Sequence, residues 1–222
     1  MIQLVARAVQ GALPVLARRL HLLEARPPDV DPDTQRVFAA AVDDAIGGDG
    51  RIAWRGERPK HELLRWLVVD RPVLLHGSNR PDIEEFRPRA QTDFWGRPAH
   101  AVFATADGIW PLFFAVVRRR PGLSVWNTCM QDDGRSLYFF SVSGEVEWTE
   151  GAVYVLPRDR FERVAGSAEW ASAEPVRPLA VLPVAPDDFP FRAAVLRHRA
   201  GESSLRFALR LLAARPPVRL LR

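Results

Sequence analysis

Val73-Leu74-Leu75-His76-Gly77-Ser78-Asn79-Arg80 is the stretch around which the chain is organised. A short apolar run ends abruptly in a polar turn, the pattern of a core strand stopping at a His-Gly-Ser corner. Such a corner presents an imidazole, a hydroxyl and accessible main chain together. Glycine has no Cβ, so a ligand can approach the backbone closely there. Working outward, a second strand follows at Ala101-Val102-Phe103-Ala104-Thr105. After Ala106-Asp107-Gly108, the apolar run Ile109 to Val117 predicts a buried helix over Gly108 to Arg118, with Pro111 in its first turn.

Upstream, Met1 to Ala25 carries leucines at helical spacing, with Pro14 dividing the run. Pro27, Pro28 and Pro32 mark a linker. Asp33 or Thr34 caps a helix running to about Ile46, and Gly47-Gly48-Asp49-Gly50 ends it. A further helix is predicted over Pro59 to Val69, with Leu63, Leu64, Leu67 and Val68 facing inward. Gln91 to Pro98 is polar and reads as an exposed loop. Downstream the pattern turns to β: Leu123 to Trp126, Ser136 to Val142, Gly151 to Leu156 and Leu179 to Val184 are strand candidates, with short ones near Phe161 and Trp170. Phe191 to Leu212 reads as an arginine-rich helix broken near Gly201. These elements give an α+β fold class in three parts: a helical appendage over residues 1–50, an α+β body over 51–190, and a C-terminal helix and tail over 191–222.

The totals narrow the field. The chain has 222 residues, 47% of them hydrophobic, enough to bury a substantial core without disulfide staples. Cys129 is the single cysteine, which excludes an intramolecular disulfide and a cysteine-rich metal site. A net charge of +4, carried almost wholly by arginine, is too small to indicate a nucleic-acid binder. Arg7, Arg18 and Arg19 interrupt the most apolar stretch, so no membrane span is expected, and the location expected is cytoplasmic. The five histidines are scattered without metal-ligand spacing, and neither a phosphate loop nor a paired Gly-x-Gly fingerprint occurs. Asp132-Asp133-Gly134 reads as a hairpin turn.

The order of three motifs resembles the ADP-ribosyltransferase fold of the diphtheria-toxin and poly-ADP-ribose polymerase type. These are His-Gly-Ser at a strand end, Val-Phe-Ala-Thr before a helix, and an acidic residue opening a Val-Tyr-Val strand. The stretch Val73 to Phe161 is also similar to a family of uncharacterised bacterial proteins with no assigned activity. The resemblance implies a split β-sheet body that binds NAD as substrate. It implies that His76 hydrogen-bonds the adenine-side ribose, while the Gly77 backbone and the Ser78 hydroxyl hold the nicotinamide carboxamide. Phe103 stands where the polymerases carry a tyrosine and packs on the nicotinamide ring without that hydroxyl. One of Trp110, Phe113 and Phe114 supplies a second stacking aromatic, with Phe113 taken as the working choice. Glu150, opening Gly151-Ala152-Val153-Tyr154-Val155, matches the catalytic glutamate, with Glu145 and Glu147 as alternatives. A carboxylate there faces the positive charge that develops on the ribose as nicotinamide leaves.

Three functions stay open on this reading. The first is a transferase moving ADP-ribose from NAD to an acceptor that nothing in the chain names. The second is a non-catalytic member of the same fold that binds a nucleotide or a protein. The third resembles the NAD-dependent RNA 2′-phosphotransferases, for which Arg80, Arg87 and Arg89 could meet an RNA phosphate.

Overall fold

The computed structural model describes residues 23–132, 135–203, 205–207, 209–210 and 220–221. It is an α+β structure in two compact units. One gathers residues 27–119 and 147–192, and the other gathers residues 1–26, 120–146 and 193–222. This division is not the one expected from the sequence. Residues 27–50 belong to the same unit as the His-Gly-Ser strand, and a β-hairpin from mid-chain joins the two termini.

The first strand, β1 (Leu23–Ala25), belongs to the smaller unit. The larger unit opens with helix α1 (Pro32–Gly47), capped by Asp31, whose carboxylate accepts from the Asp33 and Thr34 amides. The cap therefore falls before the two residues predicted for it. Phe38, Val42 and Ala45 form the buried face of α1. The chain then bonds Ile52 N–H to Val181 O and enters α2 (Lys60–Asp70), which buries Leu63, Leu64 and Leu67. These contacts make residues 27–50 part of the body and not an appendage. The predicted helix over residues 1–22 lies outside the described residues, and its expected end at Leu23–Ala25 is β1.

The sheet of the larger unit holds β2 (Val73–Ser78), β3 (Arg89–Thr92), β4 (Pro98–Thr105), β7 (Gly151–Pro157), β8 (Glu162–Arg163), β9 (Glu169–Ser172) and β10 (Ala180–Val184). Its order is β10-β7-β2-β4-β9-β8, with β3 beside β4. Between β4 and β7 in the chain come helix α3 (Trp110–Val116) and the two strands of the smaller unit named below. The predicted loop over Gln91 to Pro98 is mostly the β3–β4 hairpin; Asp93 closes its turn by accepting from Trp95 and Arg97. Polar residues on an exposed edge concealed those strands.

One face of the sheet packs Leu74, Val102, Ala104, Ala152, Tyr154 and Leu156 with Phe86 and Phe161. The opposite face meets α2 and α3, where Leu75, Val153, Val155, Leu112 and Phe113 are fully buried.

In the smaller unit β1 lies antiparallel to β6 (Arg135–Ser143), which forms a long hairpin with β5 (Val125–Asp132). Asp132 pairs with Arg135, and the turn expected at Asp132-Asp133-Gly134 lies partly outside the described residues. Before Gly201, the region predicted as a helix from Phe191 to Leu212 instead contains a 3-10 turn over Arg192–Ala194 and strand β11 (Leu196–His198), parallel to β6; beyond Gly201, residues 205–207 and 209–210 are helical as expected. Pairing with β6 outweighs the helix propensity of this Ala- and Arg-rich segment. The last strand, β12 (Leu220–Leu221), pairs with β1. No helix among the described residues is long and apolar enough to cross a membrane.

Candidate functional site

Helix α3 fixes the geometry of the His-Gly-Ser corner. A Cβ on Gly77 would stand 1.8 Å from Pro111 O, and one on Gly151 would stand 2.1 Å from Ala115 O. The helix backbone thus lies directly on the β2–β7 pair, and only glycine fits beneath it. The sequence reading reserved that space for a ligand; on this face the helix occupies it. Asn79 then closes the helix end. Its amide donates to Phe114 O and Ala115 O, and its Oδ1 accepts the Arg119 amide. A helix leaves its last carbonyls without partners, and Asn79 serves two of them. Thr149 N–H donates to Val116 O, so the residue before Glu150 is tied to the same helix.

β2 is paired unequally. Against β7 it is laddered over its full length, from Val73↔Pro157 to Ser78↔Ala152. Against β4 it is paired only at Leu75↔Thr105, and beyond that point the strands part. The His76 ring spans the opening, with Nδ1 2.7 Å from Phe103 O. A carbonyl can only accept, so Nδ1 carries the proton and Nε2 presents a lone pair. Burial pushes the His76 pKa down; the bond to Phe103 opposes this and the Arg89 charge adds to it. His76 is therefore neutral near pH 7, and its free nitrogen is an acceptor for a hydroxyl or another donor. Phe86 roofs the ring at 4.6 Å between centroids. The loop carrying Phe86 is anchored by Tyr154, whose hydroxyl donates to Arg80 O and accepts the Ile83 amide.

The remaining expected site residues distribute as follows. Ser78 is half-buried on the His76 face, and its Oγ accepts the Arg80 amide. Phe103 is half-buried, but the strand register puts it with Leu75, Gly77 and Thr105 on the face opposite to His76; only its carbonyl meets the imidazole. Phe113 is fully buried, edge-on to Phe114 and tilted against Phe189, so it is a core residue and not a ligand contact. Trp110 is buried as well. Phe114 is the aromatic of α3 that remains partly accessible.

The carboxylates separate clearly. Glu145 stands 3.7 Å from Arg197, and Glu147 stands 4.0 Å from Arg118. Glu150 is exposed and has no ionic or hydrogen-bonded partner among the described residues. Glu150 immediately precedes β7, whose ladder with β2 ends at Ser78↔Ala152, where β2 ends and the chain bends at Asn79. A separate hollow of about 430 Å3, lined by residues including Val42, Leu67, Arg71, Pro157 and Leu179, lies at the Val73 end of β2, away from His76. No cluster of metal-ligating side chains occurs among the described residues.

Sequence reasoning missed Asn79, Arg119 and Phe86. Asn79 stood inside the quoted stretch without a role, and its signal was an amide placed after a strand end. Phe86 and Arg119 carried no local signal, because their parts depend on which loop covers which strand. No family model, curated protein or solved structure matches the chain.

Proposed function

We propose that the chain binds NAD at the fork between β2 and β4 and acts as an ADP-ribosyltransferase-like enzyme. One observation carries this reading: the strands bearing the three motifs are neighbours in one sheet, with the His-Gly-Ser strand between the other two. The parting of β2 from β4 leaves main chain at the corner without a strand partner on that side. A carboxamide, with one donor and one acceptor, suits such an edge. The neutral His76 Nε2 suits a ribose hydroxyl. The unpaired Glu150 carboxylate is the one of the three candidates with no arginine beside it to neutralise its charge.

In the reaction the bond from ribose C1′ to the nicotinamide nitrogen breaks, and its electron pair leaves with nicotinamide. Positive charge builds on the ribose, and Glu150 stabilises it electrostatically while holding the 2′-hydroxyl. The acceptor's lone pair then forms the new bond to C1′, and the acceptor loses its proton. Glu150→Gln keeps size and hydrogen bonding but removes the charge. It lowers nicotinamide release by about a hundred- to a thousandfold while leaving NAD affinity nearly intact. His76→Ala weakens NAD binding itself. Unchanged nicotinamide release in Glu150→Gln would overturn the assignment of Glu150.

The roof of Phe86 over His76, and Phe103 on the far face, favour a second reading. In it the chain keeps the fold and binds a nucleotide without turning it over. NAD binding by wild-type protein without nicotinamide release distinguishes that case.

A further inference from the structure

In the smaller unit one imidazole is enclosed between the sheet and a helical segment. His198, the last residue of β11, is 3% exposed, and Ser141 of β6 is fully buried. Ser141 Oγ lies 2.9 Å from His198 Nδ1. The Trp126 ring is stacked on the imidazole, with centroids 4.1 Å apart and planes 4° from parallel. Phe207, in the helical residues 205–207, meets this pair edge-on, 6.1 Å from His198 and 5.4 Å from Trp126, and lies 5.7 Å from Phe139. Two ties hold the segment to β11. Arg210 donates to Arg197 O at 3.0 Å and pairs with Glu202 at 3.0 Å, and Glu202 accepts the Arg199 amide at 2.9 Å.

His198 Nε2 is buried and has no hydrogen-bond partner among the described residues. A neutral ring bears this at the cost of one unmade bond. An imidazolium cannot, whichever tautomer it starts from. Both its nitrogens are donors; Ser141 Oγ can accept from Nδ1, but Nε2–H meets no acceptor. An uncompensated buried charge costs more than the attraction of a cation to an indole face returns. The surroundings offer little relief. Residues 125–131 and 136–143 of the hairpin carry no charged side chain, and strand alternation turns Cys129 and Tyr138 to its other face. Arg197 alternates away from His198 and lies 3.7 Å from Glu145, while Arg199 and Arg206 are exposed. Glu202 is already engaged by Arg210 and the Arg199 amide. Burial accordingly pushes the His198 pKa down; Glu202 opposes this and Arg210 adds to it.

We infer that His198 is an acid-released latch: neutral, it holds residues 196–207 on β6, and protonated at Nε2 it frees them and uncovers the aromatic surface of Trp126 and Phe139. The proton comes from water, and the ring leaves Ser141 for solvent, where both N–H groups find acceptors. A base whose pKa is depressed in the closed form stabilises that form fully above its ordinary value of 6.5, and the stabilisation is lost as pH falls below it. The latch lies within the smaller unit and is independent of any reaction with NAD.

Amide hydrogen exchange at about pH 7.5 and about pH 5.5, corrected for the intrinsic rate, tests it. One proton taken up on opening raises the opening constant about tenfold over that range. Protection in wild type should fall by that factor at the Phe207 amide, which donates to Ser203 O, and at the β11 amides paired with β6. The β5–β6 ladder around Cys129↔Tyr138 should keep its protection. His198→Phe retains a ring for Trp126 but cannot titrate, so its protection should not respond to pH; His198→Gln is the second non-titrating variant if the first does not fold. Unchanged protection of residues 196–207 in wild type would overturn the proposal. So would an equal fall in a folded non-titrating variant, or loss of the β5–β6 ladder together with the segment.

Discussion

The two edges of β2 contrast. Toward β7 the strand is laddered for six consecutive residue pairs, and the backbone of α3 presses onto glycines in both strands. Toward β4 it makes one pair and then opens, with a neutral imidazole bridging the gap. A sheet that forgoes ladder bonds is poorly explained by stability, because unpaired main chain costs free energy. The closed edge is what holds the open edge in shape. The same helix that seals β2 onto β7 is fastened by Asn79 and by Thr149, the residue before Glu150.

The largest effect expected from breaking that contrast is at Gly77. Gly77→Ala drives a methyl into the Pro111 carbonyl, a backbone atom that cannot rotate away. Overpacking costs about 1–3 kcal/mol even where side chains can give. The substitution should therefore sit at or above the top of that range in urea denaturation, and a loss below about 0.5 kcal/mol would show that α3 is not seated as described.

A smaller effect is expected on the far side of β4, where Glu169 pairs with Thr105, the residue at which β2 and β4 touch. Burial raises the Glu169 carboxyl to about 7, opposed by the Phe94 amide and aided by the Asp93 charge. An unburied glutamate titrates near 4.5, so between these values the folded protein holds a proton that the unfolded chain has released. This stabilisation is complete below about pH 4.5 and is lost as pH rises through about 7, by about 1–3 kcal/mol. Glu169→Gln should flatten that part of the stability profile; an identical pH dependence in the variant would contradict the assignment. His61 runs the other way. Burial and Arg65 lower it to about 4, so its contribution is present above about pH 6.5 and is lost on acidification. The Glu169 effect is therefore read as the difference between variant and wild type.

Smaller still is Asn79→Ala, which removes the clamp on the last carbonyls of α3. A net loss of about 1 kcal/mol is expected. Amide hydrogen exchange should quicken most at Arg119, whose donor bond to Asn79 disappears. Unchanged exchange there would show that the helix end holds without the clamp.

The strand from Val73 to His76 was legible because apolar runs ending at a Gly-containing turn reflect burial directly, and Val153 to Leu156 was legible for the same reason. The α3 helix was legible from its apolar run and Pro111. The partition of the chain was not. Leu23–Ala25 and Leu196–His198 are short strands defined by β6, a partner far away in sequence, and local propensity favoured helix for both. At the site, the sequence distinguished neither Phe113 from Phe114 nor Glu150 from its neighbours. Burial separates the first pair and arginine pairing the second, and both are properties of the fold. The roles of Gly77 diverge in an instructive way: its lack of a Cβ was legible, but the group that exploits it is the Pro111 carbonyl.

The central claim is that the open edge of β2 is an NAD site, and the most direct measurement is the unfolding free energy of the protein with increasing NAD. Saturable stabilisation is predicted, reaching about 2.7 kcal/mol at a hundredfold the dissociation constant. His76→Ala should lose most of it, and Arg87→Gln should keep it. An unfolding free energy that does not change up to millimolar NAD, or one raised equally in wild type and His76→Ala, would contradict the account.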